Sequence, residues 1–284
     1  FLFLTITPVS AQAAMEPRAY SYGFSGPWKQ AAQGGAIHLS HLDEGYILVR
    51  AARGYDVTML RLRLVGGIHF DNTRLTPEDG VTAAPLLQGN GRYEVTLYGM
   101  LSRNTGVLLL KTTVDLALED IRVPYLYPSQ QVPFSGESLA TATAESLCAD
   151  LDTDPEKIGA VYGYVVDAIA YDDELAQTVA PGYLTDVDRT LQRGKGICLD
   201  IAALMCAMLR SQGIPARVEC GEVAGGPLHA WVAVYSDQKG TVGGQSLAAK
   251  NWTRFDPTFA IGAVGVAASS TVVSVDSYTF QYAV

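Results

Sequence analysis

Cys198, His229 and Asp256 are the residues of this chain whose types and settings could do chemistry together. A thiol becomes a working nucleophile when an imidazole within hydrogen-bond reach takes its proton. A carboxylate on the other ring nitrogen then fixes the tautomer and stabilises the imidazolium. Such a set attacks amide carbonyls. His229 is the sole histidine in the second half of the chain, so the choice of base is narrow. Asp200 is the nearest rival carboxylate, but its place at the third position of a predicted helix assigns it to the helix N-terminus. A cysteine near a helix start is also a common small core residue, so the surrounding elements must decide.

Those elements agree with the chemical reading. From Ile197 onward the apolar residues Ile201, Leu204, Met205, Met208 and Leu209 recur at three- and four-residue spacing, which predicts a helix with Cys198 in its first turn. Arg210 in the last turn, Gly213 and Pro215 predict its end near Ser211 or Gln212. The unpaired N–H groups and the positive end of the helix dipole stabilise a thiolate there. The Gly194-Lys195-Gly196 turn before it lacks the spacing of a phosphate loop. Downstream, residues 216–220 and 228–235 alternate as strands, with Leu228, Ala230, Val232 and Val234 on one face and His229, Trp231, Ala233 and Tyr235 on the other. Asp256 stands at the end of a further strand, because Pro257 cannot continue a central ladder.

The rest of the chain divides by pattern. Strand candidates at 45–50, 56–64, 93–98 and 107–114, separated by Gly66-Gly67 and Gly89-Asn90-Gly91 turns, predict an antiparallel β-sandwich-like domain over 22–125. His38, His41 and His69 lie in it with no recognisable ligand set. Residues 126–134 read as an extended connector pinned by its aromatic residues. Over 135–284 helical periods come first: a helix over 138–149, one from the N-cap Asp154 to about Tyr171, and a short one over 189–193 capped by Asp188. A last strand is expected over 272–282. The fold class is α+β.

The 284 residues suffice for two domains, and 48% apolar with 17% charged residues is the composition of a folded globular protein. A net charge of −9 argues against nucleic acid or an anionic membrane as partner. No segment is long and apolar enough to span a bilayer. Residues 1–13 read as the remnant of a secretory signal ending in an A-x-A site, so the chain is expected to be exported, extracellular or at the cell surface. Cys148, Cys198, Cys206 and Cys220 fit neither a dense disulfide framework nor a zinc site, although a Cys148–Cys220 bridge stays open. No cofactor or metal is expected.

Gly196-Ile197-Cys198-Leu199-Asp200-Ile201-Ala202-Ala203-Leu204, the 208–216 stretch Met-Leu-Arg-Ser-Gln-Gly-Ile-Pro-Ala, His229-Ala230-Trp231 and Phe255-Asp256-Pro257-Thr258-Phe259 stand in this order. Together they resemble the bacterial transglutaminase-like cysteine enzyme superfamily, most of all its secreted members from anaerobic Gram-positive bacteria. The resemblance covers 135–284. It implies a papain-related transglutaminase-like catalytic domain with Cys198 as nucleophile, His229 as base and Asp256 as orienter, and it marks Tyr171-Asp172 as a family position. Gln192 invites comparison with the oxyanion glutamine of papain-like enzymes, and Trp231 is placed to wall the site beside His229. The expected activity is hydrolysis of amide bonds in protein or cell-wall peptide through a thioester. The alternatives are a protein-crosslinking transglutaminase and a non-catalytic binding module with a vestigial triad.

Overall fold

Alternation shapes the first half of the chain. In Thr58–Leu64 the side chains of Leu60 and Leu62 are buried, while Arg61 and Arg63 reach the surface, as in a strand with one dry face. The computed structural model describes residues 17–223, 228–262 and 278–284. The expected signal remnant at 1–13 lies outside them.

The strands of this half are β1 (Lys29–Gln30), β2 (Ala36–His38), β3 (Tyr46–Arg50), β4 (Thr58–Leu64), β5 (Asp71–Leu75), β6 (Val81–Pro85), β7 (Gly91–Met100) and β8 (Gly106–Leu116). They pair antiparallel in two four-stranded sheets, ordered β1-β2-β3-β6 and β5-β4-β7-β8. Ile37, Ile47 and Val49 of the first sheet meet Leu60, Leu62, Val95, Leu97 and Val114 of the second in a shared core. The strands β1, β2, β5 and β6 go beyond the sequence expectation. β2 is three residues long, and β5 buries only Leu75, so neither carries a readable alternation. His38 and His41 are buried and hydrogen-bonded, His38 to Ser40 and to the Gly26 carbonyl, His41 to Glu44 and to the Gly23 carbonyl.

The connector is part of the core. A single 3-10 turn, Val123–Leu126, leads into it, and Tyr125 and Leu126 of that turn are buried along with the following Tyr127. Tyr127 stacks on Tyr20 at 4.7 Å, donates its hydroxyl to Glu44 at 3.1 Å, and offers its carbonyl to Arg210 Nη1 at 2.9 Å. Tyr125 donates to the Leu87 carbonyl and sets its ring edge-on to Trp252 at 5.2 Å. These contacts join the sandwich to the second half of the chain.

The second half runs α1 (Leu139–Cys148), α2 (Asp154–Ala168), β9 (Ala170–Tyr171), α3 (Asp173–Thr178), α4 (Val187–Arg193), β10 (Lys195–Gly196), α5 (Cys198–Arg210), β11 (Ala216–Val223), β12 (Leu228–Ser236), β13 (Gly240–Val242), β14 (Gln245–Leu247), β15 (Asn251–Phe255), α6 (Pro257–Ala260) and β16 (Tyr278–Ala283). An antiparallel sheet, β15-β12-β11-β16, packs Val218, Ala230, Val232 and Val234 against α5. α5 is buried from Asp200 to Arg210, which suits a central helix. Most of the expected last strand, up to residue 277, lies outside the described residues.

Three local expectations change. The N-cap of α2 is Thr153, not Asp154: the Thr153 hydroxyl accepts from Glu156 N, and Glu156 reaches back to Thr153 N, a reciprocal box that outcompetes a lone Asp cap. α2 also ends at Ala168, short of Tyr171, because Ile169 leaves helical geometry for the β9 ladder. α4 starts at Val187 with Asp186 as its cap; Asp188 instead accepts from Ala140 N at 2.9 Å and ties α1 to α4. The four cysteines are free thiols, so Cys148 and Cys220 are not bridged.

Candidate active site

The loop entering α5 is held from several sides. Gly194, at φ 61°, closes α4 in the left-handed region, where glycine carries no Cβ penalty. Lys195 and Gly196 then pair parallel with Ala170 and Tyr171. A Cβ on Gly196 would sit 2.7 Å from Asp200 Cβ and 3.1 Å from Thr190 Cγ2, so this turn has room only for glycine. Asp172 is buried and accepts from Arg193 Nη2 at 2.9 Å and Lys195 Nζ at 3.2 Å while its other oxygen caps α3. The Leu175 N–H, with Lys195 and Arg193 beside it, holds the Asp172 carboxyl below its ordinary value. Asp200 accepts from Ile197 N at 3.0 Å and from the Tyr183 hydroxyl at 2.9 Å, so it serves the helix N-terminus. Burial raises its carboxyl.

Cys198 is thereby presented as the first residue of α5, half-buried, at the end where backbone N–H groups lack intrahelical acceptors. His229, near the start of β12, is 7% exposed. Its Nε2 lies 2.8 Å from Asp256 Oδ2, and Cys198 is among the groups that act on its ring. Asp256 ends β15 and caps α6, its Oδ1 accepting from Phe259 N at 3.1 Å. Turn-capping and contact with the imidazole are thus two jobs of one carboxylate. Both oxygens are tied.

The electrostatics follow from these contacts. Burial pulls the His229 imidazole down, but the hydrogen bond to Asp256 and the influence of Asp256 and Cys198 together outweigh it and carry the ring up to about 9. A site of this kind favours the imidazolium near neutral pH. It can supply a proton to a leaving group and hold an anionic sulfur beside it.

Among the other expected positions, Trp231 is fully buried with its ring centroid 6.1 Å from that of His229. Gln192 is exposed on α4. Sequence reasoning assigned nothing to Phe259, whose ring lies edge-on to His229 at 5.1 Å, or to Tyr282 of β16. Burial raises the hydroxyls of both Tyr171, to about 12, and Tyr282; the charge of Cys198 adds to the rise at Tyr171, and at Tyr282 Cys220 adds more than Cys198. Tyr171 is the position the resemblance marks, and the structure pairs it with Gly196, two residues ahead of Cys198; for Tyr282 no local signal existed. Among the described residues no group of three His, Cys, Asp or Glu is arranged to hold a metal ion, and no helix is long and apolar enough to cross a membrane.

Residues 141–257 match the family model of the transglutaminase-like superfamily. No curated protein matches the chain. Among solved structures, a TGase aligns at 22% identity and TM-score 0.34 over 48% of this chain and 32% of its own. A candidate cysteine protease from Cytophaga hutchinsonii aligns at 15% identity and TM-score 0.41 over 84% and 78%. Red sea bream transglutaminase aligns at 12% identity and TM-score 0.27 over 75% and 48%. The chain thus spans about a third of the length of the first of these. The matched stretch, C-terminal to a sheet-rich region, is similar to the transglutaminase-like superfamily.

Proposed function

We propose that the chain is a thiol acyl-transfer enzyme acting on amide bonds of protein or peptide, cell-wall peptide included. Cys198 is the nucleophile, His229 the general acid and base, and Asp256 the group that orients the imidazole. The observation that carries this reading is the 2.8 Å pairing of Asp256 Oδ2 with His229 Nε2, with Cys198, at the N-terminus of α5, among the groups that act on the same imidazole.

The sulfur attacks the carbonyl carbon, a C–S bond forms, and the carbonyl π pair moves onto oxygen. First-turn N–H groups of α5, that of Cys198 among them, are suited to receive that oxyanion. Collapse breaks the C–N bond, and the departing amine takes its proton from His229. Water then adds to the thioester and gives a proton to His229, and the acid leaves as the thiolate is restored. An amine in place of water would make the reaction a crosslink. The half-buried setting of Cys198 leaves water a path to the thioester, which favours hydrolysis. The proposal places the protein outside the cell, on the strength of residues 1–13 alone.

Alkylation tests the site. Burial pushes Cys206 and Cys220 up to about 12 and raises Cys148, so at about pH 6 those thiols stay protonated and slow. Iodoacetamide is expected to modify Cys198 far ahead of the other three, and His229→Ala to abolish the lead. Equal rates at the four cysteines in the wild type would remove the enzyme reading and leave a binding module. A library of peptides and cell-wall fragments, run against wild type and Cys198→Ala with and without a labelled amine, separates hydrolysis from crosslinking.

A further inference from the structure

Glu219 lies within β11 with 6% of its surface exposed, and acyl transfer gives it no task. A buried carboxylate is costly unless its oxygens are met. Here both are. Oε1 accepts from Arg217 Nε at 3.0 Å and Nη2 at 2.7 Å, and Oε2 accepts from Trp231 Nε1 at 2.7 Å. Glu219 and Trp231 are direct partners in the β11–β12 ladder, so the bond crosses between adjacent strands.

Trp231 stands two residues beyond His229 on the same strand, its ring inclined 35° to the imidazole at 6.1 Å. Phe259 flanks the imidazole at 5.1 Å and 62°, and its own backbone is bound to Asp256. Two rings therefore lie beside the imidazole, one anchored through the cap of α6 and the other through Glu219. Arg254 covers the indole at 5.2 Å. Arg217, which grips Glu219, lies 4.3 Å over Trp252 and 5.7 Å over Tyr125 of the connector.

We infer that Glu219 is a positioning residue for His229: its Oε2 holds the Trp231 indole in the orientation that walls the imidazole, and Arg217 holds Glu219. The inference rests on the acyl-transfer reading of Cys198 and His229. Displacing a reacting group by about an ångström costs on the order of a hundredfold in rate. An indole that loses this acceptor loses one of the contacts that set its orientation, and a small shift of it would suffice for such a displacement.

The test uses full-length Glu219→Leu, Glu219→Gln and Trp231→Phe proteins, with Cys198 alkylation by iodoacetamide followed by mass spectrometry and folding checked by circular dichroism and thermal unfolding. Glu219→Leu removes the acceptor and is expected to slow Cys198 by about tenfold to a hundredfold in folded protein. Glu219→Gln keeps an oxygen for the indole N–H and is expected to restore most of the rate. Trp231→Phe has no N–H to hold; it is expected to be slow, and no slower when combined with Glu219→Leu. A folded Glu219→Leu protein alkylated at the wild-type rate overturns the inference, as does a Glu219→Gln protein as slow as Glu219→Leu. If Glu219→Leu fails to fold, Trp231→Phe decides, and a wild-type rate there overturns it. Failure of the underlying reading shows separately, as a wild-type Cys198 rate that His229→Ala leaves unchanged.

Discussion

Replacing Asp256 by Asn removes one charge from the imidazole's surroundings and keeps a side chain able to cap α6. In the native protein burial works against the imidazolium, yet Asp256 and Cys198 together carry His229 from 6.5 up to about 9. That rise corresponds to roughly 3 kcal/mol of preference for the protonated ring. Because the folded-state value exceeds the unfolded one, this stabilisation is complete below about pH 6.5 and disappears as the pH climbs through about 9. Without the Asp256 charge the ring falls from about 9, because burial then works against the influence of Cys198 alone. At about pH 7.5 the protonated fraction, nearly complete in the wild type, is then smaller, and with it the supply of protons from the imidazolium. Nitrogen-15 NMR of the His229 ring measures the titration directly. Thermal unfolding across the same range should show a wild-type decline between about pH 7 and 9.5 that is smaller in Asp256→Asn. His41, also raised, contributes to both proteins and cancels in the difference. A ring in the Asn variant that still titrates near 9 would refute Asp256 as the source of the shift.

Gly196→Ala forces a Cβ to within 2.7 Å of Asp200 Cβ; overpacking of this kind should cost roughly 1–3 kcal/mol, read as a lower denaturation midpoint, and should slow Cys198 alkylation. Arg210 is fully buried and donates to the carbonyls of Ala216 and Tyr127. Arg210→Met leaves these acceptors without that donor, and urea unfolding should register a loss of about 3 kcal/mol or more. A chain beginning at residue 128 lacks Tyr125 and Tyr127, and should bind a hydrophobic dye and unfold without a sharp transition. Cooperative melting of that fragment would show that the connector is dispensable.

Local signals were strong where the site is built from one segment. The period of α5, the glycine turn before it and its Arg210-to-Pro215 ending were all legible, because helix capping and apolar spacing act over a few residues. The same locality misled at Thr153 and Asp188. Two acceptors stood within reach of each helix start; the reciprocal box with Glu156 chose Thr153, and the Ala140 N–H, brought from α1, claimed Asp188. The short strands β2 and β5 were illegible for a related reason: their pairing partners, not their own composition, make them strands.

The sequence by itself determined which residue types could do the chemistry, and it put Cys198 at a helix start and Asp256 before a proline. Only the tertiary structure decided that β12 pairs with β15 so that His229 meets Asp256 at 2.8 Å. It also decided that Glu219 lies opposite Trp231 and that the connector is buried. The physical reason is reach. Backbone geometry and capping are settled within a turn or two of chain. The register between strands far apart in sequence is set by the whole core packing against α5, which no local pattern encodes.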